Sequence, residues 1–74
     1  MPHVNIKYFD TPLSEDQVST LVTAVADAVR AAFDCDDGVV SVALEPIEPA
    51  RWDERVYRPE IVGRRDLLRK LPNY

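Results

Sequence analysis

The segment LSEDQVSTLVTAVADAVRAAF, residues 13–33, lies between two short strand-like runs, and this arrangement limits the fold more than any other feature of the chain. Its start signal is complete. Ser14 is a good N-cap, and Gln17, three residues on, makes a capping box. Leu13 and Val18 stand at the positions of a hydrophobic staple, and Glu15 and Asp16 put negative charge where the helix dipole favours it. Val18, Leu21, Val22, Val25, Val29 and Phe33 recur at helical spacing as one apolar stripe. The helix is predicted to reach about residue 33 and to end before Gly38. Before it, residues 3–9 alternate, with Val4, Ile6 and Tyr8 on one face and His3, Asn5 and Lys7 on the other, the period of a half-buried strand. After it, VVSVAL (39–44) is short, β-branched and apolar, as suits a strand buried on both faces. Two strands joined by such a helix make a parallel βαβ unit with a right-handed crossover.

A two-stranded parallel sheet with one helix does not stand alone in water, and its open edges invite pairing. The 74 residues make one domain, residues 1–74, too short to bury a large core. Cys35 is the only cysteine and His3 the only histidine, so neither a disulfide nor a metal site with ligand spacing is expected to staple it. Self-association remains. A dimer that joins two units into a larger sheet, helices on one face, is the plain solution, and a larger oligomer would serve the same end. Beyond Leu44, Pro46 and Pro49 are expected to interrupt pairing, leaving EPIEPARWDERVY as a loop with a short strand around Val56. Pro59 suits the first turn of a short amphipathic helix carrying Ile61, Leu67, Leu68 and Leu71, which Pro72 stops.

The net charge of −4 disfavours nucleic acid as a partner. Charge is uneven: residues 1–57 hold four basic and eleven acidic side chains, residues 58–74 five basic and two acidic. No apolar run approaches the ~20 residues of a membrane span. Asn5, Lys7 and Asp10 in the first ten residues argue against a signal peptide, and one unpaired cysteine suits a reducing cytoplasm.

The opening MPHVNIK places proline directly after the initiator methionine. Once Met1 is removed, Pro2 carries a free secondary amine. An N-terminal amine has an unperturbed pKa near ~7.7–8.0, and burial in an apolar site lowers it towards the working pH. Such a group is suited to general acid–base catalysis, and its ring holds the nitrogen rigidly. Val39 and Val40, at the start of the second strand, would lie beside it and help exclude water. Many chains begin Met-Pro without any such use, so the dipeptide carries little weight by itself.

The ordered set MPHVNIK, LSEDQ, SVAL, EPARW and PEI…LPNY resembles the 4-oxalocrotonate tautomerase superfamily, most closely its PptA-type bacterial tautomerases. The similarity spans essentially the whole chain. It implies an α+β, MIF-like β-α-β fold with a short C-terminal helix, dimeric in the PptA-type branch, and a cofactor-free enzyme. It implies keto–enol isomerisation of a small enol-pyruvate-like 2-oxo acid, with Pro2 as general base. The founding members of the superfamily bind substrate carboxylate and carbonyl with arginines at positions that here hold Pro12 and Ala43, so a dicarboxylate substrate is not expected. The PptA-type branch lacks these arginines as well.

Trp52 matches an aromatic of that branch and reads either as an apolar wall of the site or as a dimer-interface anchor. A cation should stabilise the enolate. Arg51, Arg55 and Lys7 are the nearest candidates, with Arg64 and Lys70 behind them; each also reads as an ordinary surface charge. Tyr74 is a candidate to close over a neighbouring site. Two other functions fit the scaffold. Hydration or dehalogenation would use Glu45 or Glu48 to position water, but needs the missing arginines. A non-catalytic dimeric binding module would keep Met1.

Overall fold

The computed structural model describes residues 1–74 and shows a β-α-β unit followed by a C-terminal segment folded back over the sheet. Strand β1 is His3–Phe9, helix α1 is Glu15–Phe33, and strand β2 is Ser41–Ile47. The strands pair in parallel from His3↔Ser41 to Phe9↔Ile47, as the crossover requires.

Helix α1 starts where its local signals place it. The Gln17 amide donates to Ser14 Oγ (3.1 Å), and the Ser14 amide donates to Gln17 Oε1 (2.9 Å). At its other end Asp34 takes a left-handed conformation, φ 51°, and its amide caps the Arg30 carbonyl. Val18, Leu21, Val22, Val25 and Val29 are half-buried, but Phe33 in the last turn is exposed. The stripe covers the sheet face formed by Val4, Ile6, Tyr8, Val42 and Leu44, all half-buried.

Strand β2 starts two residues later and ends three residues later than the sequence suggests, and it contains Pro46. The backbone directions explain the tolerance. The Ser41 amide donates to Pro2 O (3.2 Å), and Ile47 O accepts from the Asp10 amide (3.1 Å). Residues 41, 43, 45 and 47 therefore turn their backbone groups towards β1. Pro46 faces the open outer edge, where no ladder bond is lost. Nor is β2 buried on both faces: only Ile47 and, in the C-terminal segment, Val56 are buried.

The largest difference from expectation lies after β2. No strand forms around Val56, and the helix begins before Pro59, not at it. A 3₁₀ turn, Pro49–Arg51, leads through Trp52 into a π-helix, Asp53–Val62, with Pro59 inside it. Pro59 lacks an amide donor, and the wider i→i+5 pattern continues past it, closing with the Gly63 amide on the Arg58 carbonyl at 2.8 Å. A second 3₁₀ turn, Arg65–Leu67, stands where the sequence suggests the body of an amphipathic helix. Ile47 at the end of β2 and Val56 in this segment are the two buried residues of the chain.

Gly63 is where the segment turns out of the π-helix. A Cβ there would lie 2.7 Å from Pro59 O and 3.0 Å from Arg58 O, both backbone atoms, whereas at Gly38 nothing lies within 4 Å. Gly63→Ala is expected to lower unfolding free energy by about 1–3 kcal/mol. Gly38→Ala is expected to be neutral or mildly stabilising. Urea denaturation of the two variants side by side checks the contrast.

Candidate active site

Alternation along β1 gives a polar face, His3, Asn5 and Lys7, which ordinarily meets solvent. Here the C-terminal segment lies over it. An open groove of about 480 Å³ results, bounded by Asn5 and Lys7 on the strand and by Trp52, Glu60, Ile61 and Arg64 on the returning segment.

A chain of alternating charges crosses this groove. Arg64 Nη1 lies 3.6 Å from Glu60 Oε1, and Glu60 Oε2 lies 2.6 Å from Lys7 Nζ. Lys7 Nζ is 3.7 Å from Glu45 Oε1 and donates to Asn5 Oδ1 at 3.2 Å. Arg55 Nη2 donates to Glu45 Oε2 at 3.0 Å, and Asn5 Nδ2 donates to Glu45 Oε1 at 3.3 Å. The hydrogen bond and charge of Glu60 hold Lys7 above its ordinary pKa of 10.5, against a smaller opposing effect of burial. The reciprocal bond from Lys7 holds Glu60 below its ordinary 4.5. Both groups are therefore charged throughout the neutral range.

Of the site candidates singled out in the sequence, Lys7, Trp52 and Arg64 come together in this groove, and Lys70 does not line it. Arg51 and Arg55 do not line it: Arg51 pairs with Glu54 at 3.1 Å, and Arg55 is turned to Glu45. Trp52 packs edge-on against Phe9, centroids 5.1 Å apart and planes at 83°. Tyr74 joins these two rings around a separate apolar recess and lies 6.0 Å from the Tyr57 ring. Pro2 is half-buried at the start of β1, its carbonyl bonded to Ser41, beside half-buried Val40; Val39 is more exposed. It lines none of the grooves of the single protomer. His3 lies on the polar face with Asn5 and Lys7, its Nδ1 2.6 Å from Ser41 Oγ. Ala43 pairs with Asn5 on the floor of the polar face, and Pro12 is exposed before α1.

Asn5 and Glu60 escaped the sequence reading. The signal for Asn5 was its place beside Lys7 on the polar face. Glu60 had only its i,i+4 spacing to Arg64, which ordinarily marks a solvated helix surface.

The pH dependence of this network follows from its two shifts. The depressed Glu60 contributes stability that is present above about pH 4.5 and lost as pH falls through its lower folded value. The raised Lys7 contributes stability that is present below about pH 10.5 and lost as pH rises through its higher folded value. Glu60→Gln is expected to cost about 1 kcal/mol or less at neutral pH, since both groups keep some contact with water. The gap in melting temperature from the wild type should narrow as pH falls below about 4.5; a gap that does not change with acidification would assign the effect to packing.

No protein-family model matches the chain. It is nonetheless similar over its whole length to curated proteins named Tautomerase PptA. The one from Pectobacterium carotovorum subsp. carotovorum is 36% identical over 74 residues, all of this chain and 97% of the relative. Those from Enterobacter sp. (strain 638) and from Escherichia coli O9:H4 are 36% and 32% identical over the same shares.

Proposed function

Because this chain belongs to the PptA tautomerases of the 4-oxalocrotonate tautomerase family, we propose that it isomerises a small enol-pyruvate-like 2-oxo acid with Pro2, freed by removal of Met1, as general base. Tautomerases are isomerases, and the protein is an enzyme of that class. The half-buried position of Pro2 against Val40 carries the mechanistic reading, because an amine partly withdrawn from water titrates closer to neutrality. The amine takes a proton from the enol hydroxyl or from the α-carbon and returns it at carbon or oxygen, so neither metal nor redox cofactor has a role. Lys7, charged at every working pH, supplies positive field to the enolate, and Trp52 supplies the apolar wall. Arg51 and Arg55, held by Glu54 and Glu45, act at most on the approach of an anion.

The separation of these groups supports a dimer. Trp52 packs on Phe9, whose backbone stands seven residues along β1 from that of Pro2, about 23 Å at strand rise. No small 2-oxo acid spans it. If Pro2 and Trp52 act on one molecule, they come from different protomers. The outer edge of β1 offers a full set of backbone donors and acceptors for that pairing, while Pro46 blunts the outer edge of β2. Hydration or dehalogenation is the weaker reading, since both carboxylate oxygens of Glu45 are already engaged by Asn5, Lys7 and Arg55.

Two measurements test this. Protein whose intact mass shows loss of Met1 is expected to turn over an enolic aryl pyruvate. The Met1-retaining form, made with methionine aminopeptidase inhibited, should be slower by about 10²–10⁴-fold. Equal rates would remove Pro2 as the base. Second, subunits with Met1 retained, refolded together with Trp52→Ala subunits, should regain activity that neither has alone. No recovery, with mixed dimers confirmed by mass, would place the two residues in one protomer's site or outside catalysis.

A further inference from the structure

The groove holds two cations, Lys7 and Arg64, and they are not equivalent. An ammonium has three donors. Two of those on Lys7 are taken by Glu60 Oε2 at 2.6 Å and Asn5 Oδ1 at 3.2 Å, and Glu45 Oε1 stands at ion-pair distance, 3.7 Å, so the lysine is held between two carboxylates of its own chain. A guanidinium has five donors in a planar fork. Arg64 has one charged neighbour, Glu60 Oε1, at 3.6 Å from Nη1, an ion-pair distance too long for a hydrogen bond. Its backbone is fixed, with the carbonyl accepting from the Leu67 amide at 2.9 Å, while its side chain is 59% exposed. The other arginines of the returning segment with comparable reach are committed elsewhere: Arg51 to Glu54 at 3.1 Å, Arg55 to Glu45 at 3.0 Å and Arg58 to Asp53 at 2.6 Å.

From this distribution of donors we infer that Arg64 receives the carboxylate of the ligand in the groove, and that Glu60 limits that ligand to a single carboxylate. The fork of Arg64 is open for a bidentate bond to one carboxylate. The apolar end of the ligand then lies towards Trp52 and Ile61, which line the same space. A second carboxylate in the groove meets the ionised Glu60 and finds Lys7 already paired with it. The ligand class is a small monocarboxylate with an apolar or aryl substituent. Arg64 is the binding residue and Glu60 a specificity-determining neighbour.

This inference rests on the groove being the substrate site, but its test does not require turnover. Trp52 is the only tryptophan, so its fluorescence reports the groove directly. The probes are 3-phenylpropionate, its uncharged amide 3-phenylpropanamide, and phenylsuccinate as the dicarboxylate. Wild-type protein is expected to bind the monocarboxylate roughly tenfold more tightly than the amide, the size of a charge-assisted hydrogen bond. Arg64→Met should bring the acid down to the level of the amide while amide binding stays unchanged, which also shows that the groove is intact. Arg64→Lys should retain part of the preference, and Arg65→Met, outside the groove, all of it. Glu60→Gln should improve phenylsuccinate relative to 3-phenylpropionate. An Arg64→Met protein with the wild-type acid-to-amide ratio, equal loss in Arg65→Met, or no response of Trp52 to any probe would each overturn the inference. A tautomerase whose activity depends on a free Pro2 amine, yet whose acid binding ignores Arg64, would keep the proposed function and lose only this residue.

Discussion

Two parallel strands have two faces and one helix to cover them, and that shortage governs the rest of the molecule. Helix α1 takes the apolar face. The other face carries His3, Asn5 and Lys7 on β1 and Ser41, Ala43 and Glu45 on β2. It is too polar to bury against another apolar layer and too central to leave wet. The C-terminal segment resolves this with a mixed cover: it contributes buried Val56, and its Glu60 and Arg55 meet Lys7 and Glu45. The apolar part excludes water; the charges set the register of the segment on the strands. A cover that is part hydrocarbon and part ion pairs cannot seal completely, and the groove is what remains open.

The parts of the fold legible in the sequence were those fixed within a few residues of themselves. The cap at Ser14 and the apolar stripe define α1 because both are local to the helix. Parallel pairing follows from the length of the crossover. The errors share one cause. Pro46 reads as a strand breaker, but its cost depends on which edge its missing donor faces, and that is set by pairing with β1, nearly forty residues earlier. Pro59 reads as the start of a helix because a π-helix has no apolar period of its own to announce it. Its wider turn lets the proline sit inside.

The site divides along the same line. Pro2 is visible because a terminal secondary amine is chemically singular, and Trp52 because tryptophan is rare in a chain of this size. Lys7 could be named from its position on the first strand. Its tie to Glu45 was hidden in the strand register, and its tie to Glu60 exists only once residues 53–64 fold back. The difference between Arg55 and Arg64, one engaged at 3.0 Å and the other loosely held at 3.6 Å, is likewise a property of the packed segment and leaves no trace in composition or spacing.

Pro46 also bears on how copies of the chain can assemble. A sheet with two equally competent edges can add further copies head to tail, and such growth has no natural end unless the rotation closes a ring. Here one edge lacks a donor at its sixth position and the other is complete. Growth through unlike edges is therefore disfavoured, and like-to-like pairing through β1 uses up the complete edge of both copies at once. In the dimer proposed above, the ring nitrogen of Pro46 would act as a terminator, leaving the remaining edge of each copy a poor site for further addition.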